Sequence, residues 1–369
     1  MSFLTPTENH QSKIINIPIP AIIYILLFSF ILFGCQKDLP LSIPKSYDVI
    51  AYAATYGKGI YITENGGKSW LPFNSDQEDL HAYYKRLYLN PENTNVLYVT
   101  TTGAGLFLLN IKIGTLVKIY QFRDENITSI AFKNNPSEPP QNNNMLVSLN
   151  TGGILKTTNY LNTWEPLNQK LTYRDVNVLY NYGKDLFSGT VKELFRWDET
   201  ISQWKSSSEG IKNKNIISMD GWLKGKVLYA GSGPPESKKG RFEHIPSIYK
   251  STDQGKSWTA SDTGIPDETL VYVISINPKR PERIYLGTSD GLYRSTNSGV
   301  NWIKMKHGLP KDLRIFDIKM AQMPDGTDVV YAAGSRGVFM TTDDNDTLWQ
   351  NKSYGLEPTA ITSIILIPD

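Results

Sequence analysis

Ser251-Thr252-Asp253-Gln254-Gly255-Lys256-Ser257-Trp258 is followed one repeat later by Ser295-Thr296-Asn297-Ser298-Gly299-Val300-Asn301-Trp302. Both fit one template: Ser/Thr, any residue, Asp/Asn, any residue, Gly, two of any, Trp. Near the start of the chain Thr63-Glu64-Asn65-Gly66-Gly67-Lys68-Ser69-Trp70 fits it again. The template has a physical reading. The Asp or Asn accepts hydrogen bonds from backbone N–H groups of the turn that follows it. The Gly supplies a positive φ that a side chain would disfavour. The Ser/Thr hydroxyl bonds to the Asp/Asn, and the Trp opens the next strand and covers the turn. Every one of these roles is structural. A catalytic reading of Asp253 is weak, because the same position is Asn65, Asn159 and Asn297 in other copies and Asn is no general acid.

Degenerate copies extend the series. Thr157 to Trp164 keeps Asn159 and the Trp but has lost the Gly. Asp198 to Trp204 and Asp343 to Trp349 keep the Asp and the Trp in longer versions. The six Trp positions are spaced by 94, 40, 54, 44 and 47 residues. The first gap is two periods, which puts a decayed copy near Asn110 to Gly114. Seven units of about 45 residues is the period of four-stranded propeller blades.

The expected fold is therefore all-β, a seven-bladed β-propeller over residues 47–369. Each unit reads as an apolar inner strand, such as Val271–Ile276, a turn such as Asn277-Pro278, a second strand, a tight turn, a third strand, the box and an outer strand. Outer-to-inner connections repeat as Gly264-Ile265-Pro266, Gly308-Leu309-Pro310 and Gly355-Leu356. The first unit lacks an inner strand at its own end. The final apolar run, Ala360 to Pro368, has no partner after it, so the C-terminal strand is expected to close blade 1 and remove two open sheet edges.

These marks together resemble the Asp-box (BNR-repeat) propellers, a superfamily that includes sialidases, xyloglucanases, the sortilin extracellular domain and the photosystem II stability/assembly factor. The resemblance implies the fold and leaves function open, since the box is implied to lie on the rim opposite the usual ligand face. A sialidase-like enzyme implies three clustered Arg and a Phe/Tyr-Arg-Ile-Pro stretch near the start. Here the start reads Tyr52-Ala53-Ala54-Thr55-Tyr56-Gly57, with no Arg in the propeller before Arg86. A xyloglucanase-like enzyme implies two facing propellers, and the chain has room for one.

The N-terminus carries an apolar run from Ala21 to Phe33 behind Lys13, too short to span a bilayer comfortably and suited to the core of a secretory signal. It ends in Leu32-Phe33-Gly34-Cys35, which resembles the lipobox of bacterial lipoproteins. The resemblance implies a signal peptide over residues 1–34, lipidation of Cys35, a tether over 35–46 and, from Gln36, an outer-membrane address. An uncleaved signal anchor is the alternative. Cys35 is the single cysteine, so an exported propeller would be held by burial without disulfides.

Composition excludes more than it assigns. A net charge of +2 gives little support for nucleic-acid binding. His10, His81, His244 and His307 show no metal-ligand spacing, and neither a phosphate loop nor a Gly-x-Ser-x-Gly elbow is present, so no cofactor or metal is expected. The tight second-to-third turns offer Lys58, Lys192, Asp290 and Arg336 on the expected ligand face. The longest such connection, Gly233 to Pro246, carries Lys238, Lys239, Arg241 and His244. An acidic loop with Asp76, Glu78 and Asp79 joins that face. The expectation is a monomeric, non-catalytic interaction module, its partner an envelope protein or glycan. The alternative is a sialidase-like or other glycoside hydrolase with divergent residues.

Overall fold

The computed structural model describes residues 47–73, 83–133, 144–157, 159, 161–235, 244–342, 348–357 and 359–367. The leader, Cys35 and the tether lie outside the described residues. So do Asp343, Lys238, Lys239, Arg241 and the acidic loop.

Seven antiparallel four-stranded sheets form the seven-bladed propeller. The inner strands of blades 2 to 7 are Tyr84–Leu89, Ile127–Phe132, Val176–Tyr182, Ile216–Trp222, Val271–Ile276 and Ile315–Gln322. Blade 1 is made from both ends of the chain. Its inner strand, Ile361–Leu366, pairs antiparallel with Ala51–Thr55, which continues into Ile60–Thr63 and Leu71–Pro72. The register sets Ala51 opposite Leu366 and Ala53 opposite Ile364. The C-terminal strand thus closes the ring. The decayed repeat is the hairpin between Leu106–Asn110 and Thr115–Ile119 in blade 2, which turns without a Trp box.

Alternating strand residues turn their apolar faces toward the neighbouring blades, so the core lies between blades. Ala51, Ala53 and Tyr61 of blade 1, for example, cluster with Val329, Tyr331 and Met340 of blade 7.

The boxes are built as local hydrogen-bonded turns. Ser251 Oγ donates to Asp253 Oδ1 (2.8 Å), which also accepts the N–H groups of Lys256 and Ser257 at 3.0 Å. Thr63 with Asn65 and Ser295 with Asn297 repeat this geometry, and Gly67, Gly255 and Gly299 take φ of 79°, 81° and 79°. Asp198 makes a tighter turn, accepting the Thr200 N–H at 2.9 Å.

The Trp does more than cover its turn. Trp302 Nε1–H donates to the Ser261 carbonyl of the preceding blade (2.6 Å), and its backbone N–H donates to Thr263 (2.9 Å). Trp70, Trp204 and Trp258 bond in the same double fashion to Lys352 and Tyr354, Leu167 and Gln169, and Ser207 and Glu209. Trp349 keeps the backbone bond, to His307. The repeated linker glycine follows from this stitch. A Cβ on Gly264 or Gly308 would stand 2.3 or 1.9 Å from the carbonyl oxygen of Trp302 or Trp349. Trp164 is the exception: without the box Gly, its Nε1–H bonds to Leu161 in its own turn (3.2 Å).

This difference is testable. Trp302→Phe leaves the Ser261 carbonyl without its donor and is expected to cost about 1–3 kcal/mol. Trp164→Phe loses only a bond within its own turn and is expected to cost less. Guanidinium denaturation of both variants checks the order.

Candidate functional site: the loop face and the channel mouth

All inner strands begin at one end of the central channel, and there each carries a β-bulge. The register shifts between Tyr84 and Arg86, Ile127 and Ser129, Val176 and Val178, Ile216 and Ser218, Val271 and Val273, and Ile315 and Asp317. Blade 1 shifts at the equivalent place, opposite Ala54 and Thr55. A bulge leaves its extra residue outside the ladder and re-aims it. Two of the extra residues bind the next blade: Asn177 Nδ2 donates to the Ile216 carbonyl (3.0 Å), and Thr362 Oγ1 to the Tyr84 carbonyl (2.8 Å). Tyr272 stacks at an angle on Phe316, ring centroids 5.5 Å apart.

Lys58, Lys192, Asp290 and Arg336 all occupy second-to-third turns, distributed over blades 1, 4, 6 and 7. They do not converge on one pocket. Lys58 pairs with Glu357 (3.0 Å), Asp290 pairs with Lys304 (2.7 Å), Lys192 Nζ lies 5.9 Å from the Tyr173 ring centre, and Arg336 is exposed. The second-to-third connections of six blades take two to four residues, whereas that of blade 5 runs from 233 to 247. His244 pins the end of this loop to the following outer-to-inner linker. Its Nε2 bonds to Asp262 (2.9 Å) and its Nδ1 to Asp267, and Ser247 N–H donates to Asp262 (3.2 Å). Three blades away round the ring, at the junction of blades 1 and 2, Tyr56 and Tyr83 stack at 4.4 Å while remaining 55% and 46% exposed.

Sequence reasoning missed the charged residues of the channel. Arg86, Asp317 and Lys319 line a cavity of about 340 Å³ inside the ring. Arg86 Nη2 donates to the Tyr272 carbonyl (3.2 Å), three blades away round the ring, so the guanidinium crosses the bore. Asp317 is 1% exposed and holds the closing strand: Oδ2 accepts from Ser363 Oγ (2.7 Å) and Ile364 N–H (3.1 Å), while Oδ1 accepts from Lys319 Nζ (2.7 Å) and Ile318 N–H (2.9 Å). Burial alone would raise its pKa, but the charges of Lys319 and Arg86 and these hydrogen bonds hold it below the usual carboxylate value. Asp220 is pushed the other way, up to about 6, by burial, against the pull of Ile276 N–H, Gly221 N–H and Tyr180 hydroxyl, all donating to it. Lys85 is brought down to about 8 by burial and then by Arg86. A signal existed: these inner strands carry charge where Val271–Ile276 carries none.

Neither Asp317, in the cavity wall, nor Asp220, which is not part of that wall, is placed for acid–base work. Asp317 spends its oxygens on four donors and Asp220 on three. Asp253 is no better suited. Its small burial would raise the carboxyl, but Ser257, Ser251 and Lys256 hold it down to about 2. Among the described residues no group of three His, Cys, Asp or Glu side chains is placed to hold a metal ion.

Comparison with known proteins gives the fold alone. No family model and no curated protein matches the chain. Among solved structures, the extracellular domain of the putative one component system BT4673 from B. thetaiotaomicron is similar with a TM-score of 0.62 at 10% identity, over 85% of this chain. This chain spans 39% of that one's length. YCF48, solved bound to D1 peptide, is similar with a TM-score of 0.53 at 11% identity, over 83% of this chain and 94% of that one. A GH74 xyloglucanase from Xanthomonas campestris matches with a TM-score of 0.47 at 13% identity, over 88% of this chain and 70% of that one. No helix among the described residues is long and apolar enough to cross a membrane.

The His244 clamp gives a pH prediction. Its hydrogen bond to Asp267, opposed by slight burial and helped by the charge of Asp262, raises its pKa above 6.5. A folded pKa above the unfolded one means that the clamp is complete below about 6.5 and is lost as pH rises through the raised value. An NMR titration of the His244 ring should find a midpoint above 6.5, and Asp267→Asn should bring it down.

Proposed function

We propose that the chain is a non-catalytic binding propeller that meets an envelope protein or a glycan through its loop face. The observation that carries the reading is the inequality of the loops. One second-to-third connection is several times longer than the others, and His244 fixes its end to the adjoining linker. Loops held on a rigid scaffold are where recognition concentrates. The exposed Tyr56–Tyr83 stack adds an aromatic contact of the type enriched in binding surfaces. Lys58, Asp290 and Arg336 supply a polar rim. YCF48, which has a related fold, has been solved with a peptide bound. The saturated carboxylates Asp220 and Asp317 weigh against the glycoside hydrolase alternative, which needs a free pair of carboxyl groups in its pocket.

The chain is proposed to reach the envelope as an outer-membrane lipoprotein through Cys35. Feeding cells an alkynyl fatty acid should label the wild-type chain. Cys35→Ser should remain unlabelled and keep its leader, read as a larger mass; equal labelling of both would remove the anchor from the proposal.

The partner test is affinity capture with the tagged, detergent-solubilised chain against envelope extract, a glycan array alongside. Replacing residues 236–243 by a short Gly-Ser turn should reduce recovery of the captured partner at least tenfold. Turnover of a bound glycan would overturn the non-catalytic reading.

A further inference from the structure

The channel holds an arginine whose bonding is incomplete. A guanidinium presents five N–H donors, and Arg86 is half-buried at the channel wall. Arg86 makes one hydrogen bond among the described residues, to the neutral carbonyl of Tyr272. Asp317 acts on it through its charge but makes no ion pair with it, because its oxygens are occupied by Lys319, Ser363 and two backbone N–H groups. Lys319 Nζ spends one donor on Asp317 and retains others. The cavity wall therefore carries two cations against one spent anion. Lys85 adjoins Arg86 as the extra residue of the bulge between Tyr84 and Arg86. Including Asp220 in its ionised form still leaves Lys85, Arg86 and Lys319 in excess over two carboxylates.

The space suits a small ligand. About 340 Å³ lies at the lower end of the range for small-molecule pockets. Its wall mixes these charges with apolar side chains, among them Val178, Met219 and Ile274. The bond to the Tyr272 carbonyl fixes the guanidinium across the bore, which orients its remaining donors before any ligand arrives.

We propose that the central channel binds a small oxyanion, a carboxylate or phosphate group held by Arg86 and Lys319. Arg86 offers the forked, charge-assisted contact that either group accepts. Lys85 adds to the positive field at the entrance, and its lowered pKa is the mark of cations crowded in a desolvated place. The site is independent of the loop-face partner proposed above.

The test is thermal unfolding of the whole protein with inorganic phosphate or with butyrate, at constant ionic strength held by chloride. Tm should rise with ligand concentration in wild type, and Arg86→Gln should weaken the apparent affinity at least tenfold. Phosphate also stabilises proteins by exclusion from their surfaces, so a rise that Arg86→Gln retains overturns the proposal. No rise with either ligand overturns it as well. A response to phosphate alone or butyrate alone supports the site and identifies which oxyanion it takes. Should Arg86→Gln fail to fold, the Arg86 Nε–H resonance of the wild-type protein decides: a saturating one-site shift supports the site, and an unmoved resonance sinks it. The variant with residues 236–243 replaced should keep the response, which separates this site from the loop face.

Discussion

A propeller stands only if each blade grips the one before it, because the ring has no covalent seam. Here the grip is the box Trp. At Trp70, Trp204, Trp258 and Trp302 the indole N–H and backbone N–H both cross to the preceding blade, and a linker glycine lets that contact close. The only cysteine, Cys35, precedes the propeller, so the blades are held by non-covalent contacts alone. Trp70, Trp204, Trp258 and Trp302 are each at most 3% exposed, so their indole bonds are formed away from competing water. The junction between blades 2 and 3 shows what replaces the stitch when the box decays. Phe122, 1% exposed, meets Trp164 edge to face at 4.7 Å, and apolar contact takes over from the paired hydrogen bonds.

Closure places a second demand on the inner strands. The last of them comes from the far end of the chain, and it must be held on both sides. On one side the Ala51–Thr55 ladder holds it; on the other the Asp317 carboxylate reaches Ser363 and Ile364. A buried carboxylate is costly unless its oxygens are filled, and here four donors fill them. The carboxylate that secures the seam thus acts on Arg86 through its charge without bonding to it. The channel's electrostatics follow from the closure.

Local order was legible in the sequence and distant order was not. The Ser251–Asp253 and Asp253–Ser257 bonds join residues two and four apart, so a template of eight residues contains them. The closing strand was legible because Ile361–Leu366 is an apolar run that matches the inner strands of other units, such as Val271–Ile276. The Trp302–Ser261 bond spans 41 residues and the Arg86–Tyr272 bond 186, and no pattern in the sequence carries them. Bulges were hidden for the same reason, since a bulge exists only relative to the strand it pairs with. The turns bearing Lys58, Lys192, Asp290 and Arg336 were placed by repeat counting. Their dispersal over four blades is a fact of the ring, not of the sequence.

The two ends of the channel are therefore unequal in what they can do. At the box end, the polar side chains are consumed: Asp253, Asn297 and Asn65 each accept from their own turns, and a substitution there is felt first as lost structure. At the loop end, Thr55, Thr101, Thr190 and Thr288 hydroxyls hold four of the turns, and the connection of blade 5 alone departs in length. A repeat protein keeps what every blade needs and varies what only one blade needs. The blade 5 loop, the Tyr56–Tyr83 stack and the Arg86 side chain each occur in a single blade or junction. Deviation from the repeat, more than the repeat itself, is what the proposed recognition sites have in common.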